Sequence, residues 1–257
     1  MKYQFRLFLT AVMFYTRIPV PTGIGHSPEL LNRATRYLPL IGWLVGGIVA
    51  LVYYGSEWLW SPAIAGLLAL AAGIWLTGAF HEDGFADVCD GFGGGWTAEQ
   101  VLTIMKDSRV GAYAAIGLVL LLGLKLAALV ALPVAGGLTA LLIAHSLSRL
   151  LPVLLIAGLP YARADASSKV RPVAQGIGGK ELIPAIAFGM LPLLGAAWYW
   201  QAPLLLLVPL ALVPVGFYLA RMYERRIGGY TGDCLGAAQQ VAELTVYLFF
   251  AAAWKYI

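Results

Sequence analysis

Runs of about 20 apolar residues recur from one end of this chain to the other, and they decide what it can become. A helix rises about 1.5 Å per residue, so a hydrocarbon layer of about 30 Å takes roughly 20 residues. Such runs lie at 38–56, 61–80, 110–131, 137–158, 182–200, 203–220 and 234–254. They are continuous rather than alternating, which argues against the ten-residue pattern of a membrane β-barrel. Inside lipid a segment must satisfy its own backbone N–H and C=O groups, so the runs are helices. The expected fold is an all-α polytopic membrane helix bundle, one catalytic domain over residues 1–257. Composition agrees: 60% of the 257 residues are hydrophobic and 12% charged, against about 25% charged in soluble domains. These values exclude a water-soluble enzyme and a disordered chain. Two cysteines, Cys89 and Cys234, exclude a disulfide scaffold.

Residues 3–15 are also apolar but too short to span. Arg6 and Arg17 flank the stretch, and Thr16-Arg17-Ile18-Pro19-Val20-Pro21 stops it. Without a small-residue cleavage site it reads as an interfacial or re-entrant helix rather than a signal peptide. The 17 basic residues set the orientation. Fourteen fall on the side of the N-terminus and the loops 17–37, 81–109, 159–181 and 221–233. Only Lys255 lies opposite, while Lys125 and Arg149 fall inside spans. The loops are therefore expected in the cytoplasm, where thiols stay reduced. Trp58, Trp60, Trp198, Tyr199 and Trp200 mark the other interface. With the basic residues explained by topology, the net charge of +4 is no nucleic-acid signal.

Acids are scarce and unevenly placed: of 13, six fall in 82–107. If the second span continues to Asp90, then Asp83, Asp87 and Asp90 recur at i, i+4 and i+7, within roughly 60° of arc. Like charges on one stripe repel, and a hard cation such as Mg²⁺, which shares its shell with substrate phosphates, would relieve them. The bland alternative is a solvated helix end. Gly91-Phe92-Gly93-Gly94-Gly95 is expected to end that helix in a mobile loop. Lys106-Asp107-Ser108-Arg109 opens the next span, either as a phosphate site at a helix start or as flanking charge with an N-cap. Gly228-Gly229-Tyr230-Thr231-Gly232-Asp233 opens the last span, where Asp233 is either an N-cap or part of an anion-approaching glycine loop. Glu243, with Gln239 and Gln240, lies inside that span as a functional candidate or an interhelical tie. Arg149 reads as a partner for the acids or a phosphate contact, Lys125 as a snorkelling side chain, and His145 as a structural hydrogen-bonder. In the basic loop at 159–181, Arg163 is a further phosphate candidate.

Those residues carry a resemblance. His81-Glu82-Asp83-Gly84-Phe85-Ala86-Asp87-Val88-Cys89-Asp90-Gly91 resembles the acidic signature of the cobalamin synthases, the adenosylcobinamide-GDP ribazoletransferase family. Lys106-Asp107-Ser108-Arg109-Val110-Gly111, Gly229-Tyr230-Thr231-Gly232-Asp233-Cys234-Leu235-Gly236-Ala237, residues 14–21 and Pro39-Leu40-Ile41-Gly42 are similar in the same order. At Glu82 the family also carries an apolar residue. The resemblance implies an Mg²⁺-dependent transferase of the bacterial cytoplasmic (inner) membrane, with its active site on the cytoplasmic face. Its substrates would be adenosylcobinamide-GDP and α-ribazole or α-ribazole 5′-phosphate, its products GMP and the cobalamin. It is compatible with a homo-oligomer or with association with other cobalamin-assembly enzymes.

Mechanistically, a hydroxyl must cleave a diphosphate. Metal ions can neutralise the phosphoryl oxygens and a carboxylate can take the proton. The expected metal ligands are Asp83, Asp87 and Asp90, with Asp107 and Asp233 behind them, and Asp90 or Asp87 as the base. Lys106, Arg109, Arg149 and Arg163 are the expected phosphate contacts, and His81, Glu82, Thr231 and Glu243 are further candidates. Two competing readings are a CDP-alcohol-type headgroup transferase and a transporter relaying charge through Lys125, His145, Arg149 and Glu243. The acids crowd the cytoplasmic ends rather than the midplane, and no repeat of spans is visible, which opposes transport.

Overall fold

The structure is a computed structural model and describes residues 2–25, 27–162 and 177–257. Arg163, Lys169 and Arg171 lie outside the described residues. The chain is a polytopic all-α membrane bundle. Its helices are α1 (Lys2–Tyr15), α2 (Pro28–Ala34), α3 (Leu38–Glu57), α4 (Pro62–Thr77), α5 (Phe80–Gly94), α6 (Ala98–Ile104), α7 (Ala112–Val130), α8 (Val134–Gly158), α9 (Gly179–Tyr199), α10 (Val208–Ile227) and α11 (Gly232–Ala253). Among the described residues, six helical stretches are long and apolar enough to cross a membrane, and α4 with α5 makes a seventh if that bent pair is one span.

Local chemistry sets the helix starts. Ser27 caps α2 by accepting the Leu30 N–H, with Pro28 next in line. Thr97 and Gln100 form a reciprocal capping box on α6, the arrangement that satisfies two orphan N–H groups at once. α8 is buried along most of its length and forms the axis of the bundle. α3 lies against it at Gly42 and Gly46, where an added Cβ would strike the α8 backbone at His145 or the His145 Cβ. Small residues at such a crossing let membrane helices approach by backbone contact.

Three details differ from the sequence reading. The helix that carries Asp83, Asp87 and Asp90 is not a straight continuation of the second span: α4 ends at Thr77, and α5 leaves at 92° to it. Gly78 and Ala79 both take left-handed backbone (φ 69° and 58°), which costs a non-glycine residue about 1–2 kcal/mol. The N-terminal segment clamps this corner, since the Arg17 N–H donates to the Leu76 carbonyl (2.8 Å) and its guanidinium covers Gly78. Second, the glycine run does not end α5 in a loop: the helix continues to Gly94. Its glycines are packing seats, with Met105 against Gly91 and the Tyr113 ring against Gly93. Third, α10 extends past 220 to Ile227, so Arg221, Arg225 and Arg226 are helical rather than part of a loop. α1 forms as a helix, burying Leu7, Ala11, Val12 and Tyr15.

Candidate active site

The starts of α5 and α11 meet glycine to backbone. A Cβ on Gly84 would lie 2.9 Å from the Asp233 carbonyl oxygen and 3.0 Å from its Cα, and one on Gly236 would lie 3.2 Å from the His81 carbonyl oxygen. Asp83 adjoins Gly84 in sequence, and Asp87 lies one turn on. The approach therefore packs the helix start that carries those two acids against the one that carries Asp233, although about 150 positions separate them in sequence. Asp83 is exposed, and Asp87 and Asp233 are half-buried. Thr231 is fully buried and caps α11: its hydroxyl accepts the Cys234 N–H (3.3 Å) and donates to Asp233 Oδ2 (3.4 Å).

The loop before α11 is held by strand-like pairing. The Tyr230 N–H donates to the Pro160 carbonyl (3.0 Å), and the Ala162 N–H donates to the Tyr230 carbonyl (2.9 Å). Gly229 sits at φ 156°, where any Cβ would collide with the Pro160 carbonyl, so glycine is required there. The chain is thereby led from the end of α8 past the start of α11, to the position immediately before Arg163.

Two other predicted acids are held by groups of their own. Asp90 accepts the N–H groups of Gly111 (2.7 Å) and Ala114 (2.9 Å), so it caps α7 from another helix. Asp107 is locked to Arg109 through the guanidinium (2.5 Å) and backbone N–H (3.1 Å). That side-chain hydrogen bond holds the Asp107 carboxyl down to about 2. Arg109 remains largely exposed on the 105–111 loop, as does Lys106. Arg226, read from sequence as topology charge only, donates to the carbonyls of Phe92 (3.2 Å) and Gly95 (2.7 Å) and so closes the far end of α5. No sequence pattern pairs positions 226 and 95; only the fold does.

The opposite side of α5 faces a different group. Lys125 is 2% exposed. It does not snorkel, because its ammonium donates to Glu243 (2.8 Å) and Gln240 (2.6 Å). Gln240 donates to Glu82 (2.9 Å), and Gln239 donates to Glu243 (2.6 Å) and Ser148 (2.9 Å). Arg149 is buried rather than poised for a phosphate: its guanidinium donates to the His145 carbonyl and contacts the ring Nδ1, both at 3.0 Å. His145 in turn lies 3.6 Å from Glu243. Glu82 Oε2 and Arg149 Nε find no hydrogen-bond partner. A cavity of about 20 Å³ lies between them, the room of roughly one water. His81 is buried between this group and the Phe80 ring.

The donors Asp83, Asp87 and Asp233 are all hard oxygen ligands. Among the described residues, no three His, Cys, Asp or Glu side chains close into a ready metal cage. Mg²⁺ is ordinarily held by one or two carboxylates with substrate phosphates completing the shell. Acids on either side of the Gly84 contact fit that habit.

A family model described as cobalamin-5-phosphate synthase matches residues 7–251. The chain belongs to this family. It is 45% identical over 258 residues to the adenosylcobinamide-GDP ribazoletransferase of Leptothrix cholodnii, covering 98% of this chain and 97% of that one. The enzyme of the same name from Ralstonia nicotianae is 46% identical over 248 residues (95% and 93% covered). That from Shewanella amazonensis is 45% identical over 261 residues (99% and 98%). No solved structure matches the chain. Against this kinship the transporter reading of Lys125, His145, Arg149 and Glu243 falls away.

Proposed function

We propose that the protein transfers the cobinamide phosphate of adenosylcobinamide-GDP to α-ribazole or its 5′-phosphate, releasing GMP. The carrying observation is the contact of Gly84 with Asp233, which gathers the acids of both motifs at one end of the bundle. A ribose hydroxyl of the acceptor attacks the phosphorus next to the cobinamide. The new P–O bond forms as the diphosphate bridge breaks, and the departing GMP keeps the bridging oxygen. Asp83, Asp87 and Asp233 would hold Mg²⁺, which when bound offsets charge on the phosphoryl oxygens and the leaving group. A carboxylate of this set takes the hydroxyl proton; Asp90, with both oxygens on backbone N–H groups, is assigned to holding α7. The first N–H groups of α11 face the same place and favour a phosphate oxygen. Arg109 and Lys106, both exposed on the 105–111 loop, would contact the diphosphate.

The basic residues of 17–37, 81–109 and 221–227 lie at this same end of the bundle, while the exposed Trp58, Trp198 and Tyr199 mark the other. This supports a multi-pass enzyme of the bacterial inner membrane with its site on the cytoplasmic face. The test is GMP release by the purified protein given adenosylcobinamide-GDP and α-ribazole. Equimolar GMP and cobalamin, lost on chelation and restored by Mg²⁺, is the expected result. Release of CMP from a CDP-lipid instead, with none of GMP, would overturn the reading.

A further inference from the structure

A second cavity of about 80 Å³ opens at the same end, beside the first turn of α11. Its walls come from Phe14 of α1, Phe80 of α5, Pro152 and Ile156 of α8, and Gly232 and Leu235 of α11. Phe80 packs edge-on against Phe14 (5.5 Å between centroids) and Tyr15 (6.0 Å), yet 42% of its surface stays open. Gly232 is exposed at the rim of this cavity, and a Cβ there would meet nothing within 4 Å. Gly232 directly precedes Asp233, and Phe80 lies three residues before Asp83. The apolar cavity and the acids thus share two helix starts.

We propose that this cavity is the subsite for the aromatic base of the acceptor, the flat, methylated benzimidazole of α-ribazole. The inference rests on the proposed transferase reading. Three ligand parts compete for a place beside the acids. The corrinoid ring is far larger than the cavity. Guanine carries a donor and acceptor edge that these nearly all-apolar walls would leave unpaired, at a cost. The benzimidazole has almost no hydrogen-bonding edge and a large apolar face. Part of it fills the 80 Å³, and the rest lies along exposed Phe80, whose ring offers a stacking or edge-on partner. A ribose carried on that base then reaches Asp233 across a single residue, Gly232. The subsite would make base choice a matter of shape and polarity: apolar fused rings enter, and bases with amino groups are penalised.

The experiment measures KM for each substrate separately in Gly232→Leu and Phe80→Ala, with GMP release as readout. Gly232→Leu sets its first carbon in open space, so the helix start is kept, and the longer side chain crowds the mouth of the cavity. KM for α-ribazole should rise about 10-fold or more, as for methylene-scale misfit in an apolar pocket. KM for adenosylcobinamide-GDP should stay within about 2-fold, which lies outside that misfit range. Phe80→Ala opens the wall instead and should raise the α-ribazole KM about 5-fold through lost stacking. The wild type should also prefer α-ribazole over the corresponding adenine riboside, and Gly232→Leu should shrink that preference. A rise in KM for adenosylcobinamide-GDP, or no change for α-ribazole in either variant, would overturn the subsite. Failure of the wild type to release GMP at all would instead strike the transferase reading, so the two failures are distinct.

Discussion

The two sides of α5 put ionisable residues to opposite uses. On the outer side Asp83 and Asp87 flank Gly84, whose backbone meets Asp233 at the start of α11, and Asp83 is exposed. On the inner side, Glu82 joins a closed set in which Lys125 meets Glu243 at 2.8 Å and Gln240 at 2.6 Å. Like charges on one helix face repel, so the outer acids add little to stability. The inner group is tied by contacts among α5, α7, α8 and α11, with Glu82 Oε2 and Arg149 Nε left without partners, so its worth lies in fixing how α11 is rotated against α5. That rotation decides whether Asp233 reaches the outer acids. On the proposed reading one helix carries the reacting group and, a residue away, the tie that aims its partner.

Breaking the inner tie should have the largest effect, and on stability. Lys125→Met leaves the Glu243 carboxylate buried without its cation, a loss of about 3–5 kcal/mol. Thermal unfolding in detergent should show it, and Lys125→Met/Glu243→Met should recover most of the loss. If the double variant is no better than the single one, the pair is not the tie described here. The outer side should behave in the reverse way. Asp83→Asn and Asp87→Asn should leave unfolding temperature unchanged and lower turnover more than about 100-fold, beyond the usual cost of losing an outer-shell partner of a metal. The Mg²⁺ concentration needed for half-maximal rate should rise with them.

The seam between the two sides is Gly84. Gly84→Ala places a Cβ 2.9 Å from the Asp233 carbonyl oxygen and should cost about 1–3 kcal/mol by overpacking. Because the strain falls on the α5–α11 contact, turnover should drop as well, which neither inner nor outer substitutions alone would produce together. The smallest effect belongs to Asp90→Ala. Losing the cap on Gly111 and Ala114 should cost about 0.5–2 kcal/mol, with the Mg²⁺ dependence unchanged. A strong shift in Mg²⁺ dependence there would return Asp90 to the site.

The spans were legible because lipid imposes length and apolarity on each helix separately, and neither needs a partner to be read. The acidic stripe was legible for the same reason, since i, i+4 and i+7 spacing is local. What was missed is non-local. The Gly78–Ala79 corner depends on Arg17 reaching back to Leu76, and nothing around residue 78 announces a bend of 92°. The glycines at 91–95 read as a loop because their neighbours, Met105, Val101 and Tyr113, come from later helices. Lys125 and Arg149 read as a snorkel and a phosphate contact because a charge in an apolar run shows no sign of its partner. Glu243, 118 positions on from Lys125, supplies it. Asp90 carried the right spacing for a ligand, and only the fold shows both its oxygens on α7.

The central claim is that the starts of α5 and α11 act as one site, and a double-mutant cycle between Asp87→Asn and Asp233→Asn addresses it most directly. Turnover of the two single variants and the double variant would be measured as GMP release at saturating Mg²⁺. Residues that serve one substrate complex are strongly non-additive. The double variant should therefore be scarcely slower than the worse single one. Losses that multiply, each variant contributing its own factor independently, would contradict the account and leave Asp233 as a helix-start residue apart from the chemistry.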